Sequence, residues 1–346
     1  MHHTFKKTFT ALAVAALIAI QPQALARDVQ DIQGNTVTVP DKVERIADLW
    51  HANNQGVLLL GGADKLIGTT TSISKNPWYN LVYPRIKEVP VLTDGNSIQA
   101  EELLAARPDA VLTSSKTLLQ EVQNAGMPGV LVSFQDFDGL KKTVKITADV
   151  IGGDAPAIAE TYIKELNDNI AFVSERVKDI PDDARPTVVH IAGGEELLKI
   201  DGGKSMIGSW VTMAGGKNAL PDEANLVTVS MEEIVKVNPQ VIIIGSSGGK
   251  AQEAIEKIKA DPAWQSIDAV KNGRIYANPM GTFAWDRYST EEALQVLWAG
   301  KLFHPEKFAD VDMVGKTRAF YQKYYHYGLS DDNAKRILSG DVPAKK

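Results

Sequence analysis

The chain has 346 residues, of which 44% are hydrophobic and 23% charged, with no cysteine and a formal net charge of −6. That length asks for about two domains rather than one core, and the composition excludes disordered, collagen-like and multi-span membrane proteins. The lack of cysteine removes disulfides, thiolate metal sites, cysteine nucleophiles and a lipid-anchor cysteine, while a mildly acidic chain without basic runs does not suit nucleic acid.

Residues 1–26 read as an export signal. Lys6 and Lys7 precede an apolar run from Phe9 to Ile20, and Ala24-Leu25-Ala26 supplies the small-x-small pattern of a cleavage site. The run is shorter than the roughly 20 apolar residues that span a bilayer. Cleavage near Ala26 removes two lysines, which takes the net charge from −6 to −8 and implies a periplasmic protein.

The remaining chain contains an internal repeat. Ser97 to Ser115 (SIQAEELLAARPDAVLTSS) aligns with Thr228 to Ser246 (TVSMEEIVKVNPQVIIIGS), so that Glu101 falls on Glu232, Glu102 on Glu233 and Pro108 on Pro239. Each copy reads as a short helix, a proline stop and a buried aliphatic strand. Each is preceded by a strand, at Arg45–Leu49 and Thr187–Ala192, and by a helix that ends in a double glycine. Two similar α/β lobes follow, over residues 27–137 and 182–310. Between them, residues 138–181 carry Ile158, Tyr162, Leu166, Ile170, Val173 and Val177 at helical spacing, with Asp154 as a cap and Pro156 in the first turn. Residues 311–346 read as C-terminal helices whose tyrosine cluster packs against a lobe.

Two enzymatic motifs fail on context and a third does not occur. Gly245-Ser246-Ser247-Gly248-Gly249 matches the G-x-S-x-G nucleophile elbow after a strand, which makes a secreted serine hydrolase using Ser247 the alternative from another class. The equivalent strand end of the first lobe is Thr113-Ser114-Ser115-Lys116, so the small hydroxyl residues look like a feature of the repeat. Gly203-Lys204-Ser205 lacks the leading glycine of a P-loop, with Leu198 in its place, and no H-E-x-x-H occurs.

The export signal, the opening Asp31–Pro40 stretch, the strand starting at Arg45-Ile46 and the repeated E-x-L-L-x-x-x-P unit together resemble the helix-linked class of periplasmic substrate-binding proteins. That class serves ABC importers of ferric siderophores, haem, cobalamin and related compounds. The resemblance implies two Rossmann-like lobes joined by one long helix, with a ligand cleft between them and no catalysis. It implies a monomer that binds a small-molecule metal chelate and delivers it to an inner-membrane permease. No resident cofactor is expected. The cargo is expected to contain a metal, foremost Fe(III), with an oxyanion such as molybdate or tungstate as the alternative. One acidic residue per lobe meets arginines of the permease in that class, and Glu101 and Glu232 match the pattern.

In open α/β sheets, ligands sit beyond the carboxyl ends of the strands. Those positions are Trp50, His51, Asn53, Trp78, Tyr79 and Ser115 in the first lobe, and Trp285, Arg287 and Tyr288 in the second. Aromatic faces beside a guanidinium suit an anionic, partly apolar chelate. His51 and Tyr288 are the candidates for direct metal contact, and Ser289 or Thr290 with Glu291 and Glu292 reads as a capping box for the next helix.

Overall fold

The computed structural model describes residues 25–245 and 249–344. Most of the expected signal and the Ser247 motif therefore lie outside the described residues. Ala26–Gln30 (β1) and Thr36–Pro40 (β2) form an antiparallel hairpin. Arg27 fixes it to the first lobe by donating to the carbonyls of Asp149 and Val150.

The first lobe is a five-stranded sheet of Ile46–Asp48 (β3), Leu66–Thr70 (β4), Val91–Thr93 (β5), Ala110–Thr113 (β6) and Gly129–Leu131 (β7). Its order is β5-β4-β3-β6-β7, and every pairing is parallel. β6 is buried along its whole length, as expected of a continuous aliphatic run covered on both faces.

The second sheet contains Thr187–Ile191 (β8), Lys199–Asp201 (β9), Lys217–Asn218 (β10), Val227–Thr228 (β11), Val241–Ile244 (β12) and Ile275–Ala277 (β13). β8, β12 and β13 run parallel, β10 adds in parallel to β8, and β9 and β11 are antiparallel additions on the β8 side.

The two copies of the repeat superpose in register. The helices Ala100–Ala105 and Met231–Val237 lead into β6 and β12. β3 pairs with β6 so that Asp48 faces Leu112, and β8 pairs with β12 so that His190 faces Ile243. Because Leu112 and Ile243 are equivalent in the repeat, the buried ionisable residues Asp48 and His190 occupy one structural position in the two lobes. In each sheet the order of strand addition reverses between these two parallel strands, which opens a crevice at the carboxyl edge.

The linking segment 138–181 holds two helices, the second of which is the long helix expected to start after Asp154. Phe137–Ile151 packs on the first lobe, and Ala155–Val177 runs on to the second. Gly152 and Gly153 separate them at φ 71° and 59°, values that β-carbons disfavour. Asp154 makes no side-chain cap bond, so that expected cap does not form. Tyr162, Leu166, Val173 and Val177 of the predicted stripe are buried. One large core runs from the first lobe along this helix into the second and takes in Phe320, Tyr321, Tyr324 and Tyr325.

Candidate functional site

The carboxyl edge of β3 delivers Trp50 and His51 to the start of the helix His51–Leu59. Trp50 packs edge-on against Phe134 at 5.4 Å and lies 6.1 Å from the ring of Tyr288, while Phe134 and Tyr288 meet at 5.7 Å. His51 is partly exposed and stacks on Phe283, with ring centroids 5.3 Å apart. Burial lowers its pKa, so its ring is neutral at neutral pH.

Tyr288 joins the two lobes. Its hydroxyl donates to Gln135 Oε1 of the first lobe at 3.1 Å and accepts from Asn225 Nδ2 of the second at 3.2 Å. Its backbone is left-handed at φ 56°, as is that of Leu226, next to Asn225, at φ 59°. A bulky side chain in this region costs about 1–2 kcal/mol. Two such residues stand side by side at the seam, held by the contacts around them.

A charged tetrad lies directly behind the seam. Arg287 Nη2 binds Asp201 Oδ2 at 2.5 Å, stands 3.4 Å from Asp286 Oδ2 and reaches the Ala192 carbonyl at 3.4 Å. His190 Nδ1 is 2.9 Å from Asp201 Oδ2, and its Nε2 is 3.1 Å from Asp286 Oδ2. The side chains of His190, Asp201 and Asp286 are fully buried, and that of Arg287 is 15% exposed. Burial pulls His190 down, but the hydrogen bonds and charges of Asp201 and Asp286 outweigh it and leave its pKa raised. Burial pushes Asp286 up, and the Arg287 charge and the His190 hydrogen bond bring it down to about 2. Asp201 is likewise lowered, by His190 and Arg287 against burial. With His190 protonated, two cations balance two anions. Asp201 also accepts from the backbone N–H of Leu226 at 3.1 Å, which ties the tetrad to the seam.

Several expected contacts lie elsewhere. Trp78, Tyr79 and Trp285 are 0% exposed. Trp78 and Tyr79 belong to the helix Pro77–Val82, where Trp78 donates to the Asp341 carbonyl and Tyr79 to that of Asn54. Asn53 points inward: it donates to Asp48 Oδ2 at 2.9 Å and accepts from Thr147 at 2.9 Å. Ser115 is partly exposed, and its hydroxyl caps the helix Lys116–Asn124 by accepting from Leu118 N. Arg287 reaches the seam, but its charge is held by Asp201 instead of presenting an open fork. Trp50 and Tyr288 meet at the seam with His51 next to them on Phe283, though Trp50 itself is buried.

The predicted capping box at Ser289–Glu292 also does not form. The helix Glu292–Phe303 starts without a side-chain cap, and Glu291 and Glu292 are both buried. Glu291 Oε2 accepts from Gln55 Nε2 at 2.7 Å, Thr282 Oγ1 at 3.1 Å and Phe283 N at 3.3 Å, and burial raises its pKa to about 7. Gly281 lies so close to Glu291 and the Tyr321 hydroxyl that a β-carbon there would collide with both.

The sequence reading passed over His190, Asp201, Gln135 and Asn225. For His190 the signal was present: a single histidine inside an aliphatic strand needs a buried partner. Asp201, Gln135 and Asn225 are separated from Tyr288 by 63 or more positions and carry no local pattern.

A model of the family described as periplasmic binding protein matches residues 46–280. The molybdate-binding protein MolA of Haemophilus influenzae is 25% identical, over 94% of this chain and 99% of its own length. The haem uptake system protein IsdE of Staphylococcus aureus is 27% identical over 59% of this chain and 71% of its own. A periplasmic solute-binding protein of Veillonella parvula shares the fold at a TM-score of 0.80 and 24% identity, covering 91% of this chain and 97% of that one. Molybdate-bound MolA does so at 0.78 and 23%, covering 88% and 99%. The hydrolase alternative finds no support in this likeness, and the chain belongs to the periplasmic binding protein family, as a two-lobed solute-binding protein and not an enzyme.

Proposed function

We propose that this protein is the periplasmic substrate-binding component of an ABC importer and that its cargo is a compact oxyanion of the molybdate class, captured between the lobes at Tyr288. The observation that carries this reading is the Tyr288 hydroxyl, bonded at once to Gln135 of one lobe and Asn225 of the other. An oxyanion that displaces those bonds would accept from the Tyr288 hydroxyl and Asn225 Nδ2, and from Gln135 once its amide turns to present Nε2, with the tetrad's Arg287 at its back. Among the described residues, no cluster of three histidine or carboxylate side chains could hold a bare metal ion. A relative that matches over 94% of this chain is named for molybdate.

A ferric chelate is the second reading, favoured by the rings of Trp50, Phe134, Tyr288 and Phe283 gathered at the same seam. Such faces suit a partly apolar ligand. Trp285 and the Arg287 fork, which favoured a chelate in the sequence, lie inside the protein or are already paired. Tryptophan fluorescence titration with molybdate, tungstate, sulfate, ferric citrate, haem and Ni(II) separates the readings. Saturable binding of molybdate and tungstate is expected; binding of ferric citrate or haem alone would transfer the assignment to the chelate.

Delivery to a permease belongs to the same proposal. Glu101 and Glu232 are exposed, in the first turns of equivalent helices. Glu233 is occupied, because its carboxylate closes a capping box with Ser230, which leaves Glu232 as the free acid of that pair. In the first copy Gln99 replaces the capping serine and bonds the Val91 carbonyl instead.

A further inference from the structure

Both ring nitrogens of His190 face carboxylate oxygens: Asp201 Oδ2 lies 2.9 Å from Nδ1 and Asp286 Oδ2 3.1 Å from Nε2. A neutral imidazole carries a single N–H, so it would turn a bare lone pair toward one of those two oxygens. Arg287 stands against both aspartates and keeps them ionised. The arrangement is therefore satisfied only by an imidazolium, and the raised pKa of His190 agrees.

The groups packed around the ring add no other charge. Trp210 of the helix Met206–Met213 meets it edge-on at 5.9 Å. After β12, Gly245 leaves the ring its room, since a β-carbon there would lie 2.9 Å from His190 Cε1. Asp201 comes from β9, and Asp286 and Arg287 from the loop after β13. Glu292 is buried near Asp286, and burial together with the Asp286 charge pushes its pKa well up, which keeps it neutral. Loss of the His190 proton would thus leave one negative charge in excess.

That charge would be felt in the cleft. A cavity of about 340 Å³ is lined by Ala192, Gly193, Gly194 and Leu226 with Glu195, Glu196 and Lys199. Two of its wall residues are bonded to the cluster: the Ala192 carbonyl accepts from Arg287, and the Leu226 N–H donates to Asp201. The acids of the wall are already matched, Glu195 by Lys250 and Glu196 by Lys199. An uncompensated charge one side chain behind such a wall acts on an anion across several ångströms with little screening.

We propose that His190 is a positioning residue for the cargo, a buried cation that frees Arg287 from holding two carboxylates alone and lets the cleft accept an oxyanion only while the imidazolium keeps its proton. The proposal rests on the oxyanion reading and adds a residue that acts through Arg287 without touching the cargo. A bound dianion favours the charged ring in return, so binding at alkaline pH should draw in a proton.

The test is calorimetric titration of molybdate into the parent protein from about pH 6.5 to about pH 9, where molybdate itself stays a dianion. Affinity should weaken about tenfold toward the alkaline end, with proton uptake read from the dependence of the heat on the buffer. His190→Gln should weaken molybdate binding about tenfold at neutral pH and abolish the pH dependence. Adding Asp201→Asn to that variant returns the cluster to neutrality and should recover the affinity, which a merely packing role for His190 would not do. If these variants fail to fold by circular dichroism, the parent decides through its pH profile and the ¹⁵N shifts of its histidine rings. A neutral His190 ring at neutral pH, or molybdate binding that is flat with pH, would overturn this inference and leave the oxyanion reading standing. No binding of molybdate or tungstate at any pH would sink both.

Discussion

Arg287 shows how burial changes the meaning of a side chain. Read from sequence, it was an open fork for an anionic ligand; in the fold it neutralises Asp201 and Asp286, both fully buried. Arg287→Ala should therefore lose stability before it loses affinity, by about 3–5 kcal/mol, because it leaves buried carboxylates with one fewer cation. Urea unfolding checks this, and an unchanged midpoint would show that the tetrad does not depend on Arg287. Glu291 makes a second prediction. Its pKa of about 7 lies above the ordinary carboxyl value of 4.5, so the folded state holds the proton more tightly than the unfolded chain. The resulting stabilisation is fully present below pH 4.5 and is lost as pH rises through 7, by roughly 3 kcal/mol. The raised pKa of His190 acts in the same direction. Asp286, lowered to about 2, acts in the opposite one: its contribution is present above pH 3.8 and is lost as pH falls toward 2. Thermal melts from pH 4 to 8 should decline toward the alkaline end, and Glu291→Gln should flatten the decline. An equal slope in that variant would assign the effect to another group.

The elements that sequence patterns predicted well are those whose neighbours are local or whose burial is uniform. The helix–proline–strand unit was legible in both copies because β6 and β12 are covered on both faces and read as continuous aliphatic runs. The tetrad was not, because it is assembled by β8, β9 and the loop after β13, and antiparallel β9 has no counterpart in the first lobe. Trp78, Tyr79 and Trp285 were misplaced for a related reason. Their loop-like surroundings are visible in the sequence, but their buried partners are remote: Asp341 takes the Trp78 indole hydrogen bond and Asn54 that of the Tyr79 hydroxyl. Gln55 is the clearest case of an element joined by remote partners. It is fully buried in the first helix, donates to Thr282, Glu291 and Tyr325, and accepts from Ser289 and Thr290. Gln55→Leu, similar in size but unable to hydrogen-bond, should cost about 2–4 kcal/mol by stranding several buried groups. A loss under 1 kcal/mol in denaturant melts would mean that water replaces the lost bonds.

At the scale of the whole molecule, Gln55 and the long helix Ala155–Val177 tie the lobes together behind the cleft, while Tyr288 meets both lobes at its front. Asn169 and Tyr162 of the long helix add bonds to the carbonyls of Ala293 and Thr290. Opening of the cleft must therefore break the Tyr288 seam while the rear junction holds, which makes the motion a small rigid-body tilt. On the proposed reading, Tyr288 is both the latch and the contact through which cargo is recognised. The most direct test is calorimetric titration of molybdate into the parent and into Tyr288→Phe, with circular dichroism to confirm that both are folded. Removal of the hydroxyl eliminates two hydrogen bonds, and the account predicts affinity weaker by about five- to tenfold at an unchanged stoichiometry. Equal affinity in the two proteins would place the cargo away from Tyr288 and contradict the site.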